Sequence, residues 1–187
     1  MSKIEVNTID AVSGTSTLTL GSSNASTIAL GSGDVQSNFL QPMFEATVSA
    51  TTTVSANTLT KVVFNTEVID TDSAYDNSSN YRFTVPSGKA GKYVFYSQVL
   101  ANTNGNNTFK LGNLHLYKNG SSILNWQHNP AANYGHNFTV AANKIVDMSV
   151  GDYVEVYILV DDTGGTSKYE GGTFTTFGGY RIGTWAY

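Results

Sequence analysis

From Phe44 onward the chain is a series of short runs in which apolar and polar residues alternate, broken about every 8–15 residues by Gly, Asn, Asp or Pro, with no sustained 3.6-residue period. Such a pattern suits strands with one buried face and gives a helix no continuous apolar stripe. The spacing predicts strands over 61–69, 81–85, 92–100, 113–118, 121–126, 138–148 and 153–160, and a last one over 173–185 interrupted at Gly178-Gly179. Asn119-Gly120 joins two of these runs directly and is a strong hairpin signal, because both residues tolerate positive φ. Eight or more strands in about 144 residues require two packed sheets.

Residues 1–43 are different material, rich in Ser, Thr, Gly and Asn, with Phe39 the single aromatic. A repeat runs through them, Thr17-Leu18-Thr19-Leu20-Gly21-Ser22 against Thr27-Ile28-Ala29-Leu30-Gly31-Ser32. Each copy alternates for four positions and turns at Gly-Ser, which predicts a short strand. Two four-residue strands cannot build a core, so Leu18, Leu20, Ile28 and Leu30 must be covered by other chain. Neighbouring copies wound about a shared axis would cover them; a tail ordered only on a partner is the other reading. The expected division is an N-terminal stalk or anchoring arm at 1–43 and a β-sandwich head at 44–187.

Composition removes several function classes. Without cysteine there are no disulfides, thiolate metal sites or thiol redox chemistry, and the three histidines are too few for a histidine-ligated cluster. Ten Lys and Arg scattered singly in a chain of net charge -4 offer no phosphate-binding stripe, so nucleic acid is not expected as a partner. No window approaches the roughly 18 apolar residues of a membrane-spanning helix, and the N-terminus carries no apolar run of leader length.

Catalysis has no motif to rest on. No Gly-x-Ser-x-Gly elbow occurs, and His115 alternates with Leu114 and Leu116 as a residue on the less buried side of a strand. Asp70, Asp72 and Asp76 cluster, but Tyr75 and Tyr81 stand where a calcium loop needs glycine and its closing glutamate, so they read as a solvated turn and no metal or cofactor is expected. The stretch 125–137 concentrates Trp126, His128, Tyr134 and His136 among amides, a set suited to sugar or protein surfaces. Its plain alternative is structural, with Trp126 closing the hairpin's core face. The strand tyrosines have the same two uses, core or subunit interface.

Phe44-Glu45-Ala46, Val63-Phe64-Asn65, Tyr75-Asp76, Phe83-Thr84-Val85-Pro86, Gly91-Lys92-Tyr93-Val94-Phe95, Leu116-Tyr117-Lys118-Asn119-Gly120, Gly151-Asp152-Tyr153-Val154 and Phe177-Gly178-Gly179-Tyr180 follow one another along the chain. In that order these motifs resemble the trimeric jelly-roll domain of the complement one-q globular head, a relative of tumour necrosis factor. That family's cysteines and preceding collagen-like stalk are missing here, so its immune function is not carried over. The resemblance implies a homotrimer with the Gly-x-Tyr-x-Phe strand near the three-fold axis, and Tyr93, Phe95, Tyr153, Tyr157 and Tyr180 are the expected interface residues. The Thr-x-x-Leu-Gly-Ser repeats are similar to those of bacteriophage tail-fibre and other appendage proteins. Together the two resemblances imply a non-enzymatic virion protein, assembled in the host cytoplasm, that attaches to another virion protein through residues 1–43. As a tail appendage the head would meet a host-surface glycan or protein; as a capsid decoration or head fibre it would bind the capsid lattice; a free carbohydrate-binding trimer is the remaining reading.

Overall fold

A computed structural model describes residues 41–104, 107–130, 135–164 and 166–183 of the chain. The arm residues Leu18, Leu20, Ile28 and Leu30 lie outside the described residues, as does Tyr134. The described part is an all-β jelly-roll sandwich of two antiparallel sheets.

The first sheet holds β1 (Met43–Val48), β2 (Thr52–Thr53), β4 (Thr66–Asp70), β7 (Gly91–Asn102), β10 (Asn137–Met148), β12 (Lys168–Tyr169) and β13 (Gly172–Gly183). The strand β7 is central, paired along its whole length with β10 on one side and with β13 and β12 on the other. Beyond β13 come β1 and then β4 at the edge. The second sheet holds β3 (Thr60–Lys61), β5 (Tyr75–Asp76), β6 (Arg82–Thr84), β8 (Phe109–Lys118), β9 (Ser121–His128) and β11 (Tyr153–Asp162), in the order β5-β6-β11-β8-β9 with β3 against β11.

Alternation decides which side chains enter the core. Along β7 every second residue from Gly91 to Ala101 is buried, so Tyr93, Phe95 and Val99 point inward. Phe44 is the hub of the aromatic core: it stacks on Tyr75 and Phe83 with centroids 5.0 and 4.8 Å away and meets Phe177 edge-on at 4.9 Å. Such ring pairs add about 0.5–1.5 kcal/mol each beyond the area they bury. Tyr75 carries its hydroxyl into this core by donating to the Phe64 carbonyl at 3.1 Å.

Turn chemistry sets the connections. Asn119 and Gly120 hold φ of 50° and 79°, the two positive values of a type I′ hairpin between β8 and β9. The Asp152 carboxylate accepts from the Asn119 amide at 2.7 Å and the Ser149 N–H at 2.8 Å, tying this hairpin to the turn before β11.

Two strand expectations are corrected. The expected strand over 61–69 is β3 and β4, in different sheets: the Val62 N–H donates to Val156 in the second sheet, whereas Thr66 pairs with Thr47 in the first. The chain crosses the sandwich between them and leaves Phe64 buried midway. Nor does the last strand break at Gly178-Gly179. It runs through them, and both glycines are instead required for space, since a Cβ at Gly179 would lie 2.6 Å from the Phe95 ring and 2.8 Å from the Val94 carbonyl oxygen.

Candidate functional site

The sandwich presents two outer faces of different chemistry. On the first sheet, register places Ile145, Val94, Tyr180 and Met43 in one row across β10, β7, β13 and β1. The next row is Asn143, Tyr96, Gly178, Glu45 and Ile69. Ile145 is 61% exposed, and Phe174, Tyr180, Ile182 and Ile69 are also large apolar residues open to solvent. A shallow depression of about 310 Å³ is lined by Tyr96, Gln98, Ala141, Asn143 and Thr176, where small side chains leave room beside the Tyr96 ring. The Tyr96 hydroxyl donates to Glu45 at 2.7 Å, and burial together with that bond holds the phenol above its ordinary pKa range.

On the second sheet the outer face is aromatic and polar. The Tyr117 and Tyr157 rings meet at 4.6 Å with a 46° tilt, and His115 lies 6.0 Å from Tyr117. Glu155 is only 5% exposed despite facing outward, because Lys61 pairs with it and the Tyr157 hydroxyl donates to it at 3.1 Å. Burial, then the Glu155 charge and hydrogen bond, push the Tyr157 phenol up to about 12. Burial pulls the His115 pKa down, which favours the neutral imidazole. Arg82 lies over the Tyr153 ring at 4.1 Å.

The expected interface residues do not form one surface. Tyr93 and Phe95 are fully buried among the protomer's own core residues, so their side chains have nothing to offer a neighbour. On β7 alternation turns Val94 and Tyr96 outward instead, since a period of two sets them opposite the inward Tyr93 and Phe95. Tyr153 and Tyr157 sit on the second sheet's outer face, and Tyr180 alone lies on the apolar face of the first.

The 125–137 stretch is also divided. Residues up to His128 continue β9, and Asn137 opens β10. Trp126 pairs with the inward-facing Leu114 and lies at the open edge of the sandwich, 43% exposed. His128 packs on Phe138 at 4.7 Å and on Phe109 at 6.1 Å, while His136 is exposed and its carbonyl accepts from the Thr103 N–H. These side chains therefore do not converge on one ligand-sized site.

The aspartate cluster serves its own backbone. The Asp70 carboxylate accepts from Asp72 N–H at 3.2 Å and Tyr75 N–H at 2.7 Å, and Asp76 accepts from Ser78, Ser79 and Asn80. The Ser79 and Ser78 N–H groups and the Asn80 amide hold the Asp76 carboxyl below its usual range. Among the described residues no three metal-ligating side chains come together.

The family model described as C1q domain matches residues 43–182. Among solved structures, the globular domain of zebrafish complement 1qA is 17% identical, with 77% of this chain and 99% of that one covered and a TM-score of 0.55. Murine APRIL is 14% identical, covering 76% and 99%, with a TM-score of 0.53. The Eiger tumour necrosis factor of S. frugiperda is 12% identical, covering 79% and 95%, also at 0.53. No curated protein sequence matches the chain.

Proposed function

Since residues 43–182 make this chain a member of the C1q domain family, we propose that it acts as a non-enzymatic homotrimer whose heads pack through the outer face of the first sheet. The observation that carries this reading is the cross-strand row Ile145, Val94, Tyr180 and Met43, extended by Phe174 and Ile182. A contiguous apolar face on a sandwich that already has a closed core is costly in water and suits burial against copies of itself. The depression beside Tyr96 supplies relief for a neighbour's side chain. Sedimentation equilibrium of the full chain tests it: the expected mass is three times the 20.0 kDa of one chain, shifting toward the monomer in Ile145→Asp. A wild-type monomer at micromolar concentration would overturn the assignment.

Within that assembly we infer a virion appendage of a bacteriophage, anchored through residues 1–43 and presenting the head to a host surface. The Thr-x-x-Leu-Gly-Ser repeats support it, because their four-residue strands need partner chain to cover Leu18, Leu20, Ile28 and Leu30. Deleting residues 1–40, which leaves β1 whole, is expected to abolish incorporation into particles while preserving the head's circular dichroism; normal incorporation refutes the anchor. Labelled protein imaged on the capsid rather than the tail would favour the decoration role.

A further inference from the structure

We propose that the outer face of the second sheet is a carbohydrate platform, on which Tyr117 and Tyr157 take the pyranose ring of a neutral hexose glycan. The two rings lie 4.6 Å apart and tilted by 46°, with His115 alongside Tyr117 and the Lys61 ammonium 5.7 Å from the Tyr157 centroid. Aromatic faces bind the C–H faces of sugars, and fixed amides at the margin then select hydroxyl positions. Exposed amides stand at this margin: register sets Asn125 opposite His115 and Gln127 opposite Asn113.

Asn113 adds an unmatched acceptor to this face. It faces the same side, opposite Leu159, and is 9% exposed, yet its Oδ1 is buried without a donor among the described residues. An acceptor taken from water and left unmatched destabilises the fold unless a donor arrives, and a sugar hydroxyl is one.

Charge and exposure choose among occupants. Lys61 is matched by Glu155 and Lys110 by Asp161 at 2.8 Å, so the cations along β3 and β8 on this face bring their own counter-charges and offer little to a phosphate or sulfate. None of the large apolar residues open to solvent in the described structure lies here; they are at the first sheet's outer face, β4, the β9 edge and the β10–β11 turn. This face therefore lacks the apolar drive for protein docking and has the wet, ring-and-amide character of a sugar surface. In the trimer proposed above it would remain outward, and three copies would add avidity. That addition rests on the trimer reading; the platform itself does not.

The test is saturation-transfer difference NMR of the full chain with maltohexaose and laminarihexaose, and with a heparin hexasaccharide as the anionic control. Saturation of pyranose ring protons by at least one neutral oligosaccharide is expected, with affinity lowered about tenfold in Tyr117→Ala and kept within about threefold in Tyr117→Phe. Asn125→Ala, at an exposed edge position, is expected to weaken binding with an unchanged circular dichroism spectrum. No transfer from either neutral sugar, tighter binding of heparin, or loss of binding in Trp126→Ala with Tyr117→Ala unaffected would each overturn the proposal. A monomeric chain that still gives the neutral-sugar signal would sink the trimer and leave the platform standing.

Discussion

Substituting Gly178 by alanine isolates the relation between the core and the apolar outer face. The added methyl would land on the Tyr96 phenol and 2.9 Å from the Phe44 carbonyl oxygen. Backbone in mid-sheet cannot retreat, so the Tyr96 ring must swing away and release its 2.7 Å bond to Glu45. Overpacking costs about 1–3 kcal/mol, and a hydrogen bond to a carboxylate adds about 1.5–3 when buried, less here because both groups are half-exposed. Against this stands a gain of about 0.4–1 kcal/mol from removing glycine's freedom in the unfolded chain. The net expectation is a loss of about 2–3 kcal/mol in urea unfolding at fixed chain concentration, together with weakened self-association as the ring leaves the face. A double-mutant cycle makes the cause visible: with Tyr96→Ala already present, Gly178→Ala should cost about 1 kcal/mol or less, from the remaining backbone contact. A loss below about 0.5 kcal/mol in the single variant, or an equal loss in both backgrounds, would refute the reasoning.

Phe44→Ala removes the hub of the aromatic core and should cost about 3–5 kcal/mol, measured by chemical denaturation; a loss under about 2 would mean that the ring stack is not central to the fold. Asp76→Ala leaves the Ser78, Ser79 and Asn80 N–H groups without their acceptor and should lower stability by about 1–2 kcal/mol near neutral pH, with the difference from wild type closing as pH falls through the depressed Asp76 pKa. On the alkaline side, burial raises the Tyr93 phenol, and burial with Glu155 the Tyr157 phenol, each to about 12. A phenol held above its unfolded pKa of about 10 contributes stability fully below that pH and loses it as pH rises toward 12, so denaturation midpoints should fall across this window with phenolate absorbance appearing late. Ordinary tyrosine titration near pH 10 throughout the folded protein would contradict it. Lys61→Ala strips the nearly buried Glu155 of its partner and should cost about 1–3 kcal/mol, discounted for Lys61's partial exposure; no change in the urea midpoint would show that pair to be ornamental.

The alternation along β7 made Tyr93 and Phe95 legible as one face and Val94 and Tyr96 as the other, but it could not say which face was the core. The same holds for Tyr153 and Tyr157, whose period was clear and whose destination was not. Local pattern reports relative orientation within a strand, whereas inside and outside depend on which sheet lies opposite. His128 shows the converse. In sequence it belongs to an amide-rich, apparently irregular stretch, and in the fold it is a strand residue held by Phe109 and Phe138, which come from β8 and β10.

By itself the sequence determined the strand content, the Asn119-Gly120 hairpin, the contrast between residues 1–43 and the head, and the order of motifs that resembles the complement one-q domain. These rest on neighbours a few residues apart, where period and turn chemistry act directly. Only the tertiary structure decided that 61–69 crosses between sheets, that Gly178 and Gly179 are space for Tyr96 and Phe95, and that the two outer faces differ, one apolar and one aromatic and polar. Those facts depend on pairings between strands distant in sequence, such as β7 with β13 and β8 with β11, and only the assembled register brings their residues side by side.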